Sequence, residues 1–383
     1  MNRHAGLIPL LAATVLAAGC GSAAGQTAAP SRPAAPLALS TSLVTASGTW
    51  AAAVMGGSAA SHNNFWQLFV RPTGSTTWRL ATPPGVASNG GLVLAGLPAG
   101  SVLAGFRPSQ DLAYSPLAIT KDTGKAWSPG LLDAALADVP GALAADPTSG
   151  HLLALLSDGT TDTSGPGATA WTRLASQRAI AASSAGTRCR LASLTAAAFS
   201  PSGQPMLASG CRRPGTAGIF AYTGRSWRLA GPVLPASYAH EPITVLRLST
   251  AGATTTTLLA AGSGSAARLL AAWSTDGGTD WTLSPALPLN RATLTSASSG
   301  PGSALAVMLS DRQAATISGA AGSWQALPVL PAGTVTLAAS PAGGWSALAV
   351  HRTQLTIWQA GPGARTWSRK QMIKVPVQFG SSG

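Results

Sequence analysis

The sequence predicts an all-β fold, a seven-bladed β-propeller of four-stranded antiparallel blades, on three observations. A tryptophan behind a small polar turn recurs seven times. The segments between the copies read as short strands bounded by Gly, Pro, Ser and Asn, which is strand-and-turn punctuation. Charged residues are only 9% of the chain and aromatics 5%, whereas long solvent-facing helices carry many Glu and Lys.

The N-terminus comes first. MNRHAGLIPLLAATVLAAGC has a short basic start (Arg3, His4), then an apolar run from Leu7 to Ala18. A spanning helix needs ~20 apolar residues, so this shorter run has the layout of an export signal. Its ending, LAAGC, resembles the bacterial lipobox. The resemblance implies a signal peptide over 1–19, cleavage before Cys20, lipidation of that thiol, and a protein held on the outer face of the bacterial cytoplasmic membrane. Two acyl signals anchor stably where one chain is marginal. Residues 20–36, rich in Ala, Gly, Pro and Ser, cannot bury a core and read as a flexible tether. Folding is expected from Leu37, and no later segment looks transmembrane.

The repeat organises the rest. Trp78, Trp127, Trp171, Trp227, Trp281, Trp324 and Trp367 are separated by 49, 44, 56, 54, 43 and 43 residues. A period of this size with short strands points to a propeller rather than a helical solenoid. The sixth unit shows the grammar as TLTSASSG, ALAVMLS, ATISGA and SWQALPVL; the seventh as TVTLAAS, WSALAVH, LTIWQA and RTWSRK. The expected blades are 37–84, 85–137, 138–182, 183–236, 237–290, 291–333 and 334–383. The last segment, QMIKVPVQFG, either completes the last blade or pairs with N-terminal residues to latch a ring.

Two of the turns carry carboxylates. Ser274-x-Asp276-x-Gly278-x-x-Trp281 and Thr120-x-Asp122-x-Gly124-x-x-Trp127 resemble the Asp-box (sialidase-type, BNR-like) repeat. They depart from it at Asp280 and Ala126, where threonine is usual. The other five units keep the tryptophan without the aspartate. A hydroxyl and a carboxylate in such a turn can bond nearby backbone amides, and glycine supplies a positive φ. A calcium loop would need about six to eight oxygen ligands, so these residues are read as structural.

The resemblance implies that ligands bind the opposite face, made by loops between second and third strands and between blades. Those loops offer His62, Arg107, Arg212, Arg213, Arg312 and Arg352, and then Arg188, His240 and Arg291. Guanidinium groups suit carboxylate or phosphate ligands. The expected function is a non-catalytic scaffold that binds an envelope protein or an anionic glycan through this face. Cys189 and Cys211 flank a candidate hairpin, and in an exported chain they are expected to form a disulfide.

The alternative is a carbohydrate-active enzyme of the sialidase-like class. That family uses three arginines for the sugar carboxylate, a tyrosine assisted by a glutamate, and an aspartate. Tyr238 and Glu241, the chain's one glutamate, are the weak candidates, but they share a loop where the family draws them from separate blades. GFRP (Gly105 to Pro108) resembles the family's Phe-Arg-Ile-Pro element, although it stands in the second unit. No cofactor is expected, and no metal: His62, His240 and His351 come from separated units. The net charge of +13 reflects scarce acids, with 20 of 24 basic residues arginine. No clustered basic reading module is visible, so nucleic acid is not an expected partner. The chain is expected to act as a monomer.

Overall fold

The computed structural model describes residues 42–56, 64–83, 92–106, 115–128, 132–133, 140–320, 322–340 and 343–376. The signal, Cys20, the tether, His62 and Arg107 lie outside them.

Short apolar segments separated by Gly-containing turns fold into consecutive four-stranded antiparallel meanders. The first is Ser42–Thr45, Gly48–Gly56, Asn64–Pro72 and Arg79–Leu80. The second is Leu92–Gly96, Val102–Phe106, Ser115–Thr120 and Leu132–Asp133, and the third Pro140–Ala145, Leu152–Leu156, Thr160–Ser164 and Trp171–Ser176. The fourth is Leu191–Phe199, Pro205–Cys211, Gly218–Tyr222 and Trp227–Leu229. The fifth is Ile243–Ala251, Thr254–Ala261, Arg268–Ser274 and Thr282–Leu283, with Leu287–Pro288 also pairing the third of these. Leu294–Ser299, Leu305–Leu309, Ala314–Ile317 and Gln325–Ala326 follow, then Thr334–Ala339, Trp345–His351, Gln354–Ala360 and Ser368–Lys374. The fourth and fifth meanders merge into one nine-stranded sheet through Gly210↔Thr244 and Cys211↔Ile243; the others are separate four-stranded sheets.

The core lies between meanders. Second strands such as LLALL (Leu152–Leu156) and LAVML (Leu305–Leu309) are buried almost throughout, so they read as continuous apolar runs rather than alternations. Each seam draws on two neighbours. Trp50 and Val70 pack with Leu92 and Val102, Leu103 and Ile119 with Leu152, and Leu155 with Phe199 and Phe220. Ala51, Phe69 and Trp78 pack with Leu348, Leu355 and Ile357, which joins the first meander to the last.

That junction closes without strand exchange among the described residues. Ser368–Lys374 is the fourth strand of the last meander, paired with Gln354–Ala360. The Gln371 amide accepts from Trp78 N (2.7 Å) and donates to Trp78 O (2.8 Å). Gly56 N donates to Arg352 O at 3.0 Å, and Arg71 Nη2 donates to Ala339 O at 2.8 Å.

One expectation needs correcting. The long segment before Cys189, read from sequence as a loop, forms two short helices: α1 (Gln177–Ala182) and α2 (Ser184–Cys189). Ser176 Oγ accepts from Ala179 N and Ser183 Oγ from Gly186 N, the usual N-cap chemistry of serine. Ile180, Ala185 and Cys189 are buried against the third and fourth meanders. No helix among the described residues is long and apolar enough to cross a membrane.

Candidate functional site

The two carboxylate turns are built alike. Ser274 Oγ donates to Asp276 Oδ1 (2.8 Å) and accepts from Gly278 N (2.9 Å); Asp276 Oδ1 also accepts from Thr279 N and Asp280 N. Thr120 Oγ1 donates to Asp122 Oδ1 (2.9 Å) and accepts from Gly124 N (2.8 Å), and Asp122 Oδ1 accepts from Lys125 N and Ala126 N. These amide donors hold both carboxyls below the usual carboxylate range, the Ala126 N–H contributing most at Asp122 and the Asp280 N–H at Asp276. Asp146 does similar work in the third meander's first turn, accepting from Thr148 N at 2.9 Å and from Ser149 Oγ. Burial opposes ionisation there most strongly, but the hydrogen bonds together outweigh it, so its carboxyl is also lowered. Among the described residues no cluster of three or more His, Cys, Asp or Glu could hold a metal ion.

The tryptophan of each turn reaches the preceding meander. Trp127 Nε1 donates to Ala81 O (3.0 Å) and Trp281 Nε1 to Ala230 O (2.8 Å). Trp324 and Trp367 do the same to Pro285 O (2.9 Å) and Pro328 O (3.0 Å) without any aspartate in their turns. Arg79 donates to Thr123 Oγ1 and Arg228 to Gly277 O, so each carboxylate turn is held by two side-chain links to its neighbour.

Strand direction separates two faces. First-strand hairpin turns abut around one face: Ser47 Oγ donates to Gly100 O, Gly150 lies against Pro98, and Gly203 against Asp146. The carboxylate turns, which follow the third strands, lie at that end too. A cavity of about 430 Å³ between first strands also lies toward it, lined by Leu43, Leu94, Leu143, Phe199, Arg247 and Thr250 among others. Arg247 is a wall residue. Its Nη1 donates to Ala297 O (2.9 Å) and its Nη2 to Ser299 Oγ (2.7 Å), and burial pushes its pKa down to about 10, leaving it cationic at neutral pH.

The other face carries most of the arginines singled out from sequence. Cys189, at the end of α2, is bonded to Cys211, at the end of the fourth meander's second strand. Arg212 N donates to Arg190 O (3.0 Å) and Arg213 N to Cys189 O (3.2 Å), so the disulfide and two backbone bonds hold the segments together. Arg178, Arg188, Arg190, Arg212 and Arg213 are all exposed there. Gly215 N donates to Glu241 O (2.9 Å), which sets this loop against the one bearing exposed His240. Arg190 was not singled out from sequence. Its position beside Cys189 is the signal that could have found it.

Tyr238 and Glu241 meet a third residue that sequence reasoning missed. Arg268 Nη2 lies 2.9 Å from Glu241 Oε1, and its guanidinium stacks 5.0 Å from the centre of the buried Tyr238 ring. No hydrogen bond joins Tyr238 to Glu241 side chains among the described residues; a backbone bond, Glu241 N to Tyr238 O, closes the turn between them. The glutamate is therefore neutralised by one arginine rather than poised against the phenol.

The remaining predicted arginines stand apart. Arg291, Arg312 and Arg352 have φ of +74°, +65° and +54° and occupy tight turns. The Arg312 guanidinium is committed to Leu330 O, with Nε at 3.1 Å. Of the predicted face residues, the structure brings together Arg188, Arg212, Arg213 and His240, and leaves these three turn arginines outside that group.

No family model and no curated protein matches the sequence. Solved structures are similar at low identity. A protein from Lactobacillus plantarum is 11% identical with a TM-score of 0.52, over 85% of this chain and 96% of that one. YCF48 bound to D1 peptide is 14% identical, TM-score 0.46, over 90% and 94%. An ancestral GH74 enzyme is 13% identical, TM-score 0.49, over 87% of this chain and 46% of that one. The four-stranded antiparallel sheets and the first of these likenesses identify the fold as a β-propeller.

Proposed function

We propose that this chain is a seven-bladed propeller with degenerate Asp-box turns, lipid-anchored through Cys20 on the outer face of the cytoplasmic membrane. It acts as a non-catalytic scaffold whose arginine-rich edge binds an anionic component of the envelope, a protein or glycan being the expectation raised by the sequence. The observation that carries this reading is the stapled cluster of exposed Arg188, Arg190, Arg212 and Arg213, whose backbones are fixed by the disulfide and its two neighbouring hydrogen bonds. A fixed backbone spares the ordering of the loop, and the planar guanidinium fork is pre-organised for carboxylate or phosphate oxygens. No acidic residue occurs between Gln177 and Glu241, so nothing within that stretch offsets the charge.

The enzyme reading loses ground on the Arg268–Glu241 pair, which occupies the only glutamate. The blade count rests on treating the nine-stranded sheet as two blades, and the Asp-box reading on the shared hydroxyl–carboxylate–amide pattern of the two turns. The test is cross-linking of the native protein in its membrane, compared with an Arg212→Ala/Arg213→Ala variant. Loss of a specific partner in the variant, whether protein, glycan or lipid, supports the scaffold; identical cross-links to all three overturn the assignment of this edge. Hydrolysis of a fluorogenic sialoside that disappears on Glu241→Gln would overturn the non-catalytic reading.

A further inference from the structure

We infer that the anionic surface met by the arginine face is the phospholipid headgroup layer of the membrane that holds the anchor, so that the propeller stands arginine face down. The inference rests on the proposed lipid anchor at Cys20 and on the arginine edge as an anion-binding face, and names what that edge binds.

Two observations carry it. The first is where the described chain begins. Ser42 pairs with Ala51 and Thr45 with Gly48, so the first strand runs toward the Ala46–Ser47 turn. It therefore enters from the side on which Leu191 and Ile243 begin their strands next to Arg190 and Glu241. A chain of the 22 steps that separate Cys20 from Ser42 would, as the flexible tether expected from its composition, have an r.m.s. span of about 26 Å. A nine-residue strand such as Gly48–Gly56 is itself about 30 Å long. The entry side thus lies within the tether's ordinary span of the bilayer, whereas presenting the turn face would require the tether to run back along the propeller's height.

The second is a difference in charge between the faces. Among the described loops on the entry side, the five arginines around the staple are joined by Arg291, Arg312 and Arg352, against Asp158, Glu241 and Asp311. At the turns of the opposite face, Asp122, Asp146, Asp276 and Asp280 stand against Lys121, Lys125, Arg225 and Arg365 and against Arg79 and Arg228, which bond the carboxylate turns. Among the described residues the entry side carries the larger positive excess, eight arginines against three acids, compared with six bases against four acids on the turn side. Each cation brought to an anionic leaflet is worth about fivefold in partition, acting within a Debye length of roughly 8 Å. Only a face held close by its tether gains from this, and the tether favours the more cationic one.

The experiment uses the native lipidated protein reconstituted in vesicles of phosphatidylcholine alone or phosphatidylcholine with phosphatidylglycerol, read by amide hydrogen exchange. Segments 177–190 and 211–217 are expected to exchange more slowly in the phosphatidylglycerol vesicles, with the protection removed by high salt. Arg212→Ala and Arg213→Ala should each cut the surface-bound population ratio roughly fivefold, with unchanged melting temperatures. The turn segment 121–127 should exchange alike in both. Equal exchange of 177–190 and 211–217 in the two vesicles overturns membrane docking. If a soluble polyglutamate then protects those segments, the anionic-partner reading stands while this inference falls; if neither vesicles nor polyglutamate protects them, both fall.

Discussion

Removing the Cys189–Cys211 disulfide tests how the arginine edge is held. The bridge closes a loop with a sequence separation of 22, for which loop entropy gives a contribution of about 3 kcal/mol. Spread over the unfolding entropy of a domain of roughly 340 residues, that corresponds to a fall in melting temperature of about 4 °C. The local effect should be larger than the global one. α1 and α2 have six residues each, far below the length at which a helix persists alone. They depend on Ile180 and Ala185 in the core, on two hydrogen bonds from Arg212 and Arg213, and on the disulfide. A Cys189→Ala/Cys211→Ala variant, followed by calorimetry and hydrogen exchange, should show 177–190 losing protection before the sheets do, and anion binding weakened. An unchanged melting temperature with unchanged exchange across 177–190 would refute the reasoning, because the backbone and core contacts would then suffice.

Three further outcomes follow from the turn face. Asp122 and Asp276 have carboxyls held below their ordinary value. The stability they add is therefore complete above the unfolded carboxylate pKa of about 3.9 and is lost as pH falls through the depressed folded values; Asp122→Asn/Asp276→Asn should flatten this part of the acid unfolding curve. Gly278 and Gly224 share a φ of +86°, but a Cβ on Gly278 would sit 2.8 Å from Ala230 O while one on Gly224 meets nothing within 4 Å. Gly224→Ala should cost about 1 kcal/mol and Gly278→Ala clearly more, read by chemical denaturation. Trp281→Phe removes the 2.8 Å bond from the half-buried indole to the carbonyl of Ala230, itself 2% exposed, and should cost about 1–2 kcal/mol in the same assay.

The meanders were legible because their signal is periodic. Six of the seven tryptophans stand at the start of a fourth strand or directly before it, and Trp127 stands five residues before Leu132–Asp133, so the spacing reported real element boundaries. The helical insertion was not legible, because six-residue helices have no repeat of apolar positions to detect; only their serine caps could have hinted at them. Arg268 was missed for a different reason. It lies in GSAARLL, an apolar strand context, and its partner Glu241 is 27 residues away, a pairing that only the adjacency of loop and strand creates. Arg312 and Arg352 were read as ligand-face residues from their place between second and third strands, and they do stand in those turns. Short hairpin turns require left-handed backbone, and these arginines supply it, Arg312 with its guanidinium already bound to Leu330 O.

The repeated turns show what each part of the motif is for. Trp324 and Trp367 make the same bond to the preceding meander as Trp127 and Trp281, with no carboxylate beneath them. The aspartate shapes its own hairpin, by collecting amides within four residues, while the tryptophan joins neighbouring sheets. A hairpin can be shaped in other ways: Thr223 Oγ1 accepts from Ser226 N in the fourth meander, and Ser75 Oγ from Thr77 N in the first. The carboxylate is thus the dispensable part within this chain, since its work is local and substitutable. The arginine edge has the opposite character. Among the described residues it arises once, from one helical insertion, one disulfide and the loop that Gly215 sets against Glu241. A feature repeated around the molecule is explained by the need to build it; the proposed anionic partner accounts for one that, among the described residues, stands in one place and is fixed by a covalent bond.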